Sequence, residues 1–223
     1  MGTMPEFIQR FADTFGFGAR PYGAGGVILI VLYVIQAEVR FGATSRSSHA
    51  GPSDRRSSLL LALAAAVPVA GFVAAMKFAT PTVVSQHPLV AALLGPTLPG
   101  LPTVAWIGAL AGLAGVALRL WAVLTLRQRY TRTLLVYDDH TIERGGPYRF
   151  VRHPGYLGSL LCLNAIAMAS GSALVLAASL LVTIPAYIFR IRAEDEMLGA
   201  ALGASYESYR REVGALLPFR GKT

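Results

Sequence analysis

Residues 154 to 189 contain no charged side chain, and no other feature constrains the fold of this chain so strongly. As a single helix the run would measure about 54 Å at 1.5 Å per residue, far beyond the ~30 Å hydrocarbon core of a bilayer. It must therefore fold back on itself, and Ser170, Gly171 and Ser172 mark the turn. The run predicts two apolar helices in a tight hairpin, each slightly short for a full crossing. Residues 21 to 37 and 57 to 76 are also uncharged and near crossing length, which predicts two earlier spans. The uncharged stretch 78 to 118 carries prolines at 81, 88, 96, 99 and 102. Its first half is therefore expected to be a loop with a short interfacial turn, and the third span to run from about Leu101 to Leu126.

Composition agrees with this count. The chain has 223 residues, 54% hydrophobic and 14% charged, which is more apolar surface than a soluble domain of that size buries. The sequence predicts an all-α integral membrane protein with about five transmembrane helices, the last two a hairpin, followed by a cytoplasmic C-terminal helix. The net charge of +8 lies in short blocks between apolar runs rather than along one polar face, so nucleic acid is not expected as a partner. Those blocks give an orientation. Arg40, Arg46, Arg55 and Arg56, the six arginines of segment 127 to 153 and the six basic residues from Arg190 onward all fall on one side. Segment 79 to 102, on the other side, has no Lys or Arg. Positive-inside bias then puts the N-terminus outside and the basic segments and C-terminus in the cytoplasm. The first twenty residues lack the basic-then-apolar order of a cleaved signal and are read as mature sequence. The Ser-rich stretch 44 to 58 reads as a flexible loop. The single cysteine, Cys162, lies in an apolar run and reads as a small core residue.

Polar residues concentrate in two segments on the expected cytoplasmic side. The first runs from Leu126 to Tyr156 and ends in GPYRFVRHPGY; the second follows the last span, from Phe189. The hairpin brings His153 and Arg190 out of the bilayer side by side. Pro154 suits the first turn of a helix, which places His153 at or near its N-cap, with free backbone donors and the positive dipole end facing outward. That end favours an anionic group. Gly145 and Gly146 permit close backbone approach, and Tyr148 and Tyr156 suit the flanks of an aromatic or cationic ligand. The same residue types also fit an interfacial belt of tyrosines with snorkelling arginines. The density of His140, Tyr148, Arg152, His153 and Tyr156 in one turn-forming segment favours a site. Arg190 and Glu194 share a helical face, either as an exposed ion pair or as a guanidinium placed for a carboxylate. The acidic groups Asp138/Asp139 and Glu194/Asp195/Glu196 read first as solvated charge, and no metal set is evident.

These residues resemble the isoprenylcysteine carboxyl methyltransferase family, integral-membrane enzymes that use S-adenosylmethionine, and related phospholipid and thiol methyltransferases. The resemblance covers roughly residues 119 to 219. It rests on His140 followed by GPYRFVRHPGY, on Arg190 to Glu194 as Arg-x-x-x-Glu, and on a tail with Tyr206, Tyr209 and Leu217 to Phe219. It implies that residues 119 to 223 form the methyltransferase core, with residues 1 to 118 an accessory membrane part. It further implies that His140, Thr141, Ile142, Glu143, Tyr148, His153, Pro154, Gly155, Tyr156 and Glu194 contact S-adenosylmethionine, and that Arg190 holds the substrate carboxylate. The chain departs from the family pattern at Tyr137, where many members carry Gln, and at Glu143 and Arg144.

The chemistry suits so sparse a set of groups. A sulfonium methyl donor is already activated and a carboxylate is already a nucleophile, so alignment and desolvation matter more than a general base. An alcohol or thiol acceptor would call for one, with His153 or Glu194 nearest. The expected acceptor is a lipophilic small molecule or prenylated substrate entering from the membrane lipids, with no metal involved. Two other readings remain open at this stage: an NADPH-dependent sterol-type reductase of comparable helical layout, and a non-catalytic lipid-binding or transport protein. The latter predicts ionisable residues near mid-membrane, whereas Glu38, Lys77 and Arg119 are expected close to span ends.

Overall fold

The computed structural model describes residues 23–38, 52–99, 103–126 and 142–218, and every regular element among them is helical. Helix α1 spans Gly23–Glu38, α2 Pro52–Phe78, α3 Pro81–Gln86, α4 Pro88–Leu94 and α5 Thr103–Leu126. A 3₁₀ turn over Gly146–Arg149 precedes α6 (Pro154–Ala169), α7 (Ala173–Leu202) and α8 (Ala204–Glu212). Three of these are long and apolar enough to cross a membrane: α2 over Ser57–Phe78, α5 over Trp106–Leu126, and α7. Helices α1 and α6 are apolar but have only 16 residues each, about 24 Å of helix. Leu110, Trp106 and Leu181 are among the large apolar side chains left exposed on α5 and α7, as a lipid-facing surface requires.

Helix α6 is the hub. Its residues are apolar on all sides, the pattern of a helix with no solvent face, and it packs against α1, α2, α5 and α7. Leu29 of α1, Phe72 and Met76 of α2, Cys162, Leu163 and Ile166 of α6, and Tyr187 of α7 form the core around it. Cys162 is 1% exposed, a buried free thiol as expected. Against α5 the approach is closest. A Cβ on Gly158 would lie 2.4 Å from the Gly115 carbonyl oxygen, and one on Gly115 would lie 2.6 Å from that of Gly158. Small residues at such a crossing let two backbones meet without side chains between them.

The hairpin forms where the sequence places it. Gly171 takes a positive φ of 74°, and the Ser172 side chain accepts a hydrogen bond from Val175 N at 3.3 Å, capping α7. The proline-rich stretch differs from expectation. It forms two short helices, α3 and α4, because Pro81 and Pro88 each occupy a first helical turn, where a missing N–H costs nothing. This segment holds the hairpin turn: Ser172 Oγ donates to the Leu93 carbonyl at 2.9 Å, Leu98 N donates to Gly171 O at 3.0 Å, and Ala173 N donates to Thr97 Oγ1 at 2.9 Å. Between the hairpin arms, Asn164 donates to Thr183 Oγ1 at 3.2 Å and accepts from Ser179 Oγ at 2.8 Å.

Two expectations need correction. Helix α2 begins at Pro52, so the end of the Ser-rich stretch is helical rather than loop, and Ser57 is fully buried. Arg119 lies seven residues inside α5 rather than at a span end. There its guanidinium bonds Ser159 of α6 and stands 5.8 Å from the Tyr33 ring of α1. An arginine inside an apolar bundle requires such partners.

Replacing Gly158 by Ala is expected to destabilise the fold by about 1–3 kcal/mol, since the new methyl meets backbone that cannot rotate away. Gly25→Ala, with nothing within 4 Å of the added carbon, is the control and is expected to be neutral or slightly stabilising. Unfolding free energies of the two variants in detergent check this; equal stabilities would contradict it.

Candidate functional site

Pro154 opens α6 and His153 stands at its N-cap with φ −122° and ψ 58°. Its side chain does not cap the helix, because it is turned toward α7. His153 Nε2 lies 2.8 Å from Asp195 Oδ1, and both residues are buried. A carboxylate only accepts, so this nitrogen carries the proton. Asp195 also accepts from Arg152 Nη2 at 3.0 Å and from the Tyr206 hydroxyl. The reading of Asp195 as solvated charge is therefore wrong: it is 6% exposed and binds three side chains from two separate stretches of chain. Of its neighbours in sequence, Glu196 stays exposed, whereas Glu194 is half-buried and faces Tyr156 and His153. Helical period decides this, since Asp195 shares a face with buried Ile191 while Glu196 does not.

Helix α8 and the residues after it close over this junction. Arg152 Nη1 donates to the Arg210 carbonyl at 3.1 Å and to that of Val213. Backbone bonds run from Arg152 N to Gly214 O at 2.9 Å and from His153 N to Ala215 O at 3.0 Å. The Tyr209 hydroxyl donates to the Tyr148 carbonyl at 2.6 Å. Burial pushes the Tyr209 phenol up to about 12, and burial together with the Asp195 carboxylate pushes Tyr206 up further, so both stay protonated donors. Gly203 takes φ 55° and turns the chain from α7 into α8.

One turn further into the bundle, a second chain of contacts forms. The Tyr156 hydroxyl donates to Glu194 Oε2 at 2.6 Å and accepts from Arg190 Nε at 3.1 Å. Its ring stacks on His153 with centroids 5.6 Å apart and meets Tyr187 edge-on at 5.7 Å. Glu194 Oε2 also lies 3.9 Å from His153 Nδ1, and its side chain keeps 26% of its exposure. Arg190 is 2% exposed, and its Nη1 donates to Ser57 Oγ and, at 3.4 Å, to Ser58 Oγ.

Of the expected site residues, His153, Pro154, Gly155, Tyr156, Arg190 and Glu194 thus come together where α6 begins and α7 leaves the apolar bundle. Tyr148, in the 3₁₀ turn, is 9% exposed and is tied to α8 through its carbonyl. Glu143 Oε1 accepts from Gly145 N at 2.8 Å and shapes the turn before it, next to Ile142. His140, Thr141, Tyr137 and Phe219 lie outside the described residues. Sequence reasoning missed Ser57, Ser58 and the role of Asp195. The signal for Asp195 was its spacing of four from Ile191 on the buried face. No comparable local signal marked the serines, which reach the site only through the packing of α2. Among the described residues no cluster of three His, Cys, Asp or Glu side chains is arranged to hold a metal ion.

Comparison with known proteins gives one consistent result. The model of the isoprenylcysteine carboxyl methyltransferase family matches residues 107–200. A probable protein-S-isoprenylcysteine O-methyltransferase of Oryza sativa subsp. indica is 32% identical over 150 residues, covering 66% of this chain and 76% of that protein. The protein-S-isoprenylcysteine O-methyltransferase of Tribolium castaneum is 29% identical over 132 residues, 54% of this chain and 45% of its own. A methanethiol S-methyltransferase of Crocosphaera subtropica is 39% identical over 75 residues, 34% of this chain and 28% of its own.

Asp195→Ala is expected to cost about 3 kcal/mol or more of stability, because Arg152 and His153 stay buried without their carboxylate. A loss below about 1 kcal/mol in detergent unfolding, the size of a surface pair, would contradict the central place given to it. The phenols predict an alkaline limit as well. Tyr209 keeps its proton to about 12 when folded but to 10.0 when unfolded, so stability falls as pH rises between those values. Tyr209→Phe is expected to flatten that fall, and an unchanged slope would refute its burial as the cause.

Proposed function

The chain belongs to the isoprenylcysteine carboxyl methyltransferase family and is a membrane methyltransferase, and from that premise we propose that it uses S-adenosylmethionine to methylate the carboxylate of a prenylcysteine-like acceptor. The observation that carries this reading is the chain Arg190, Tyr156, Glu194. It brings a guanidinium and a carboxylate to one phenol oxygen, at 3.1 and 2.6 Å, where α6 begins and α7 leaves the apolar bundle. Such a pair suits two ligands of opposite charge held next to one another.

The groups fit the methyl donor. Glu194, the one acid of this chain of contacts that keeps exposure, suits a cationic sulfonium or ammonium, and the stacked rings of His153 and Tyr156 suit an aromatic or cationic face. Pro154 and Gly155 begin α6 directly beside His153 and Tyr156. Tyr148, Ile142 and Glu143 line the turn that precedes it, and His140 and Thr141 complete the set that the family resemblance implies. The donor supplies an activated methyl group: a carboxylate oxygen forms the new O–C bond as the S–C bond breaks, the electron pair stays on sulfur, and no proton moves. The residues of the chain then have three tasks. Arg190 holds the acceptor carboxylate, Tyr156 keeps Arg190 and Glu194 in register, and the apolar helices exclude water.

The membrane arrangement follows the charge pattern. Five spans, α1, α2, α5, α6 and the first part of α7, leave the N-terminus outside and the site on the cytoplasmic face. At 30 residues α7 measures about 45 Å, so its end beyond Arg190 projects from a ~30 Å apolar layer. Residues 119 to 223 then carry the chemistry and 1 to 118 the accessory membrane part. The likeness to a methanethiol enzyme favours, second, a thiol acceptor, for which His153 or Glu194 would have to take the proton.

Purified protein is expected to bind S-adenosylmethionine by calorimetry and to transfer its methyl group to N-acetyl-S-farnesylcysteine. Arg190→Ala is expected to lower that transfer about 100-fold or more while cofactor affinity is retained. Full turnover by the variant would remove Arg190 from its role, and transfer to methanethiol in place of the acid would favour the second reading.

A further inference from the structure

Arg190 meets more than the two residues the family pattern supplies. Its Nη1 is held by Ser57 and Ser58, which stand in the first part of α2, more than 130 residues earlier and outside the matched region 107–200. The two contacts differ. Ser57 is fully buried and accepts from Nη1, which holds that end of Arg190. Ser58 is half-buried at 3.4 Å, long for a hydrogen bond, so an anion arriving at the guanidinium can take that place at little cost. A serine oxygen that accepts from a guanidinium also has a proton to donate, and a carboxylate offers two oxygens with about four acceptor positions. Guanidinium, serine hydroxyl and carboxylate are mutually complementary in a way that a thiol or an amine is not.

We propose that Ser57 and Ser58 complete the acceptor site: Ser57 positions the Arg190 guanidinium, Ser58 donates to the acceptor carboxylate, and together they make α2 the element that selects an oxyanion acceptor. This rests on the reading of Arg190 given above. It deepens that reading by naming a selectivity element in the accessory half of the chain. The physical reason is the cost of mismatch. A buried set of donors left without an anion loses its hydrogen bonds, so a neutral group in place of the carboxylate is rejected rather than merely unassisted. Tyr156 holds Arg190 at Nε, on the side of Glu194. Anchored at both ends by Tyr156 and Ser57, it points one way.

The test compares recognition of the acid and of its neutral analogue. N-Acetyl-S-farnesylcysteine serves as substrate, and the corresponding primary carboxamide, which keeps the lipid and loses the charge, as a competitive inhibitor. The ratio of their affinities reports carboxylate recognition separately from lipid binding. Wild-type protein, Ser57→Ala/Ser58→Ala, Ser57→Thr/Ser58→Thr and Arg190→Ala are compared, with S-adenosylmethionine binding measured for each by calorimetry. The alanine pair is expected to raise the KM of the acid about tenfold or more, with little change for the amide or for cofactor affinity. The threonine pair, which restores the hydroxyls, is expected to recover most of the loss. An alanine pair that keeps the wild-type ratio while Arg190→Ala loses it overturns this inference and leaves Arg190 in its role. A pair that weakens acid, amide and cofactor alike, without rescue by threonine, overturns it in favour of a purely structural contact. If Arg190→Ala itself keeps the ratio, the reading of Arg190 fails and this inference with it.

Discussion

The carboxylate of Asp195 is the constraint on which the rest of the site depends. A buried ion is costly to desolvate and is tolerated only where donors surround it. Here three donors come from two places in the chain: Arg152 and His153 just before α6, and Tyr206 on α8. Satisfying one acid therefore joins the start of one membrane helix, the exit of another and the segment that follows. The orientation of His153 is a result of this arrangement, since its Nε2 is committed to Asp195 and its Nδ1 is left facing Glu194. The stacking of Tyr156 on that ring, and through Tyr156 the setting of Arg190, follow in turn.

That polar clasp works because the helices beneath it are held at fixed distance. Helix α6 is short, mostly apolar and surrounded, so its position is set by backbone contact with α5 at Gly115 and Gly158 and by the bonds that α4 and the residues just after it make to the hairpin turn at its far end. The candidate site sits on the end of this packed helix, and a reaction that depends on alignment is sensitive to a displacement of about an ångström. The polar pairs inside the bundle serve the same end. Asn164 with Ser179 and Thr183, and Arg119 with Ser159, lock neighbouring helices in rotation as well as distance.

Much of this was legible in the sequence because apolar length and special backbone residues act locally. The hairpin at Ser170 to Ser172, the helix start at Pro154, the N-cap position of His153 and the continuation of α7 past Arg190 each follow from a few neighbouring residues. The family resemblance rested on the same stretch and agrees with the matched region. What was not legible is what depends on distant packing. Asp195 sits between two other acids, and only the burial of its helical face separates it from them. Ser57 and Ser58 lie in a Ser-rich stretch that reads as loop until α2 is extended back to Pro52. Arg119 looks peripheral along the chain, and its internal place depends on Ser159 and Tyr33, which only the packing of α6 and α1 brings to it.

The pairing of Arg152 and His153 with Gly214 and Ala215 has a consequence for how the protein is made. Ribosomes deliver chains in order, and the apolar helices can enter the bilayer as they emerge. The junction at Asp195 cannot close until Tyr206 and the residues to Ala215 have followed, some sixty positions after Arg152. A chain halted between α7 and α8 lacks Tyr206 for Asp195 and the Arg210 and Val213 carbonyls for Arg152. Closure of the clasp is therefore the last step that the order of the chain allows.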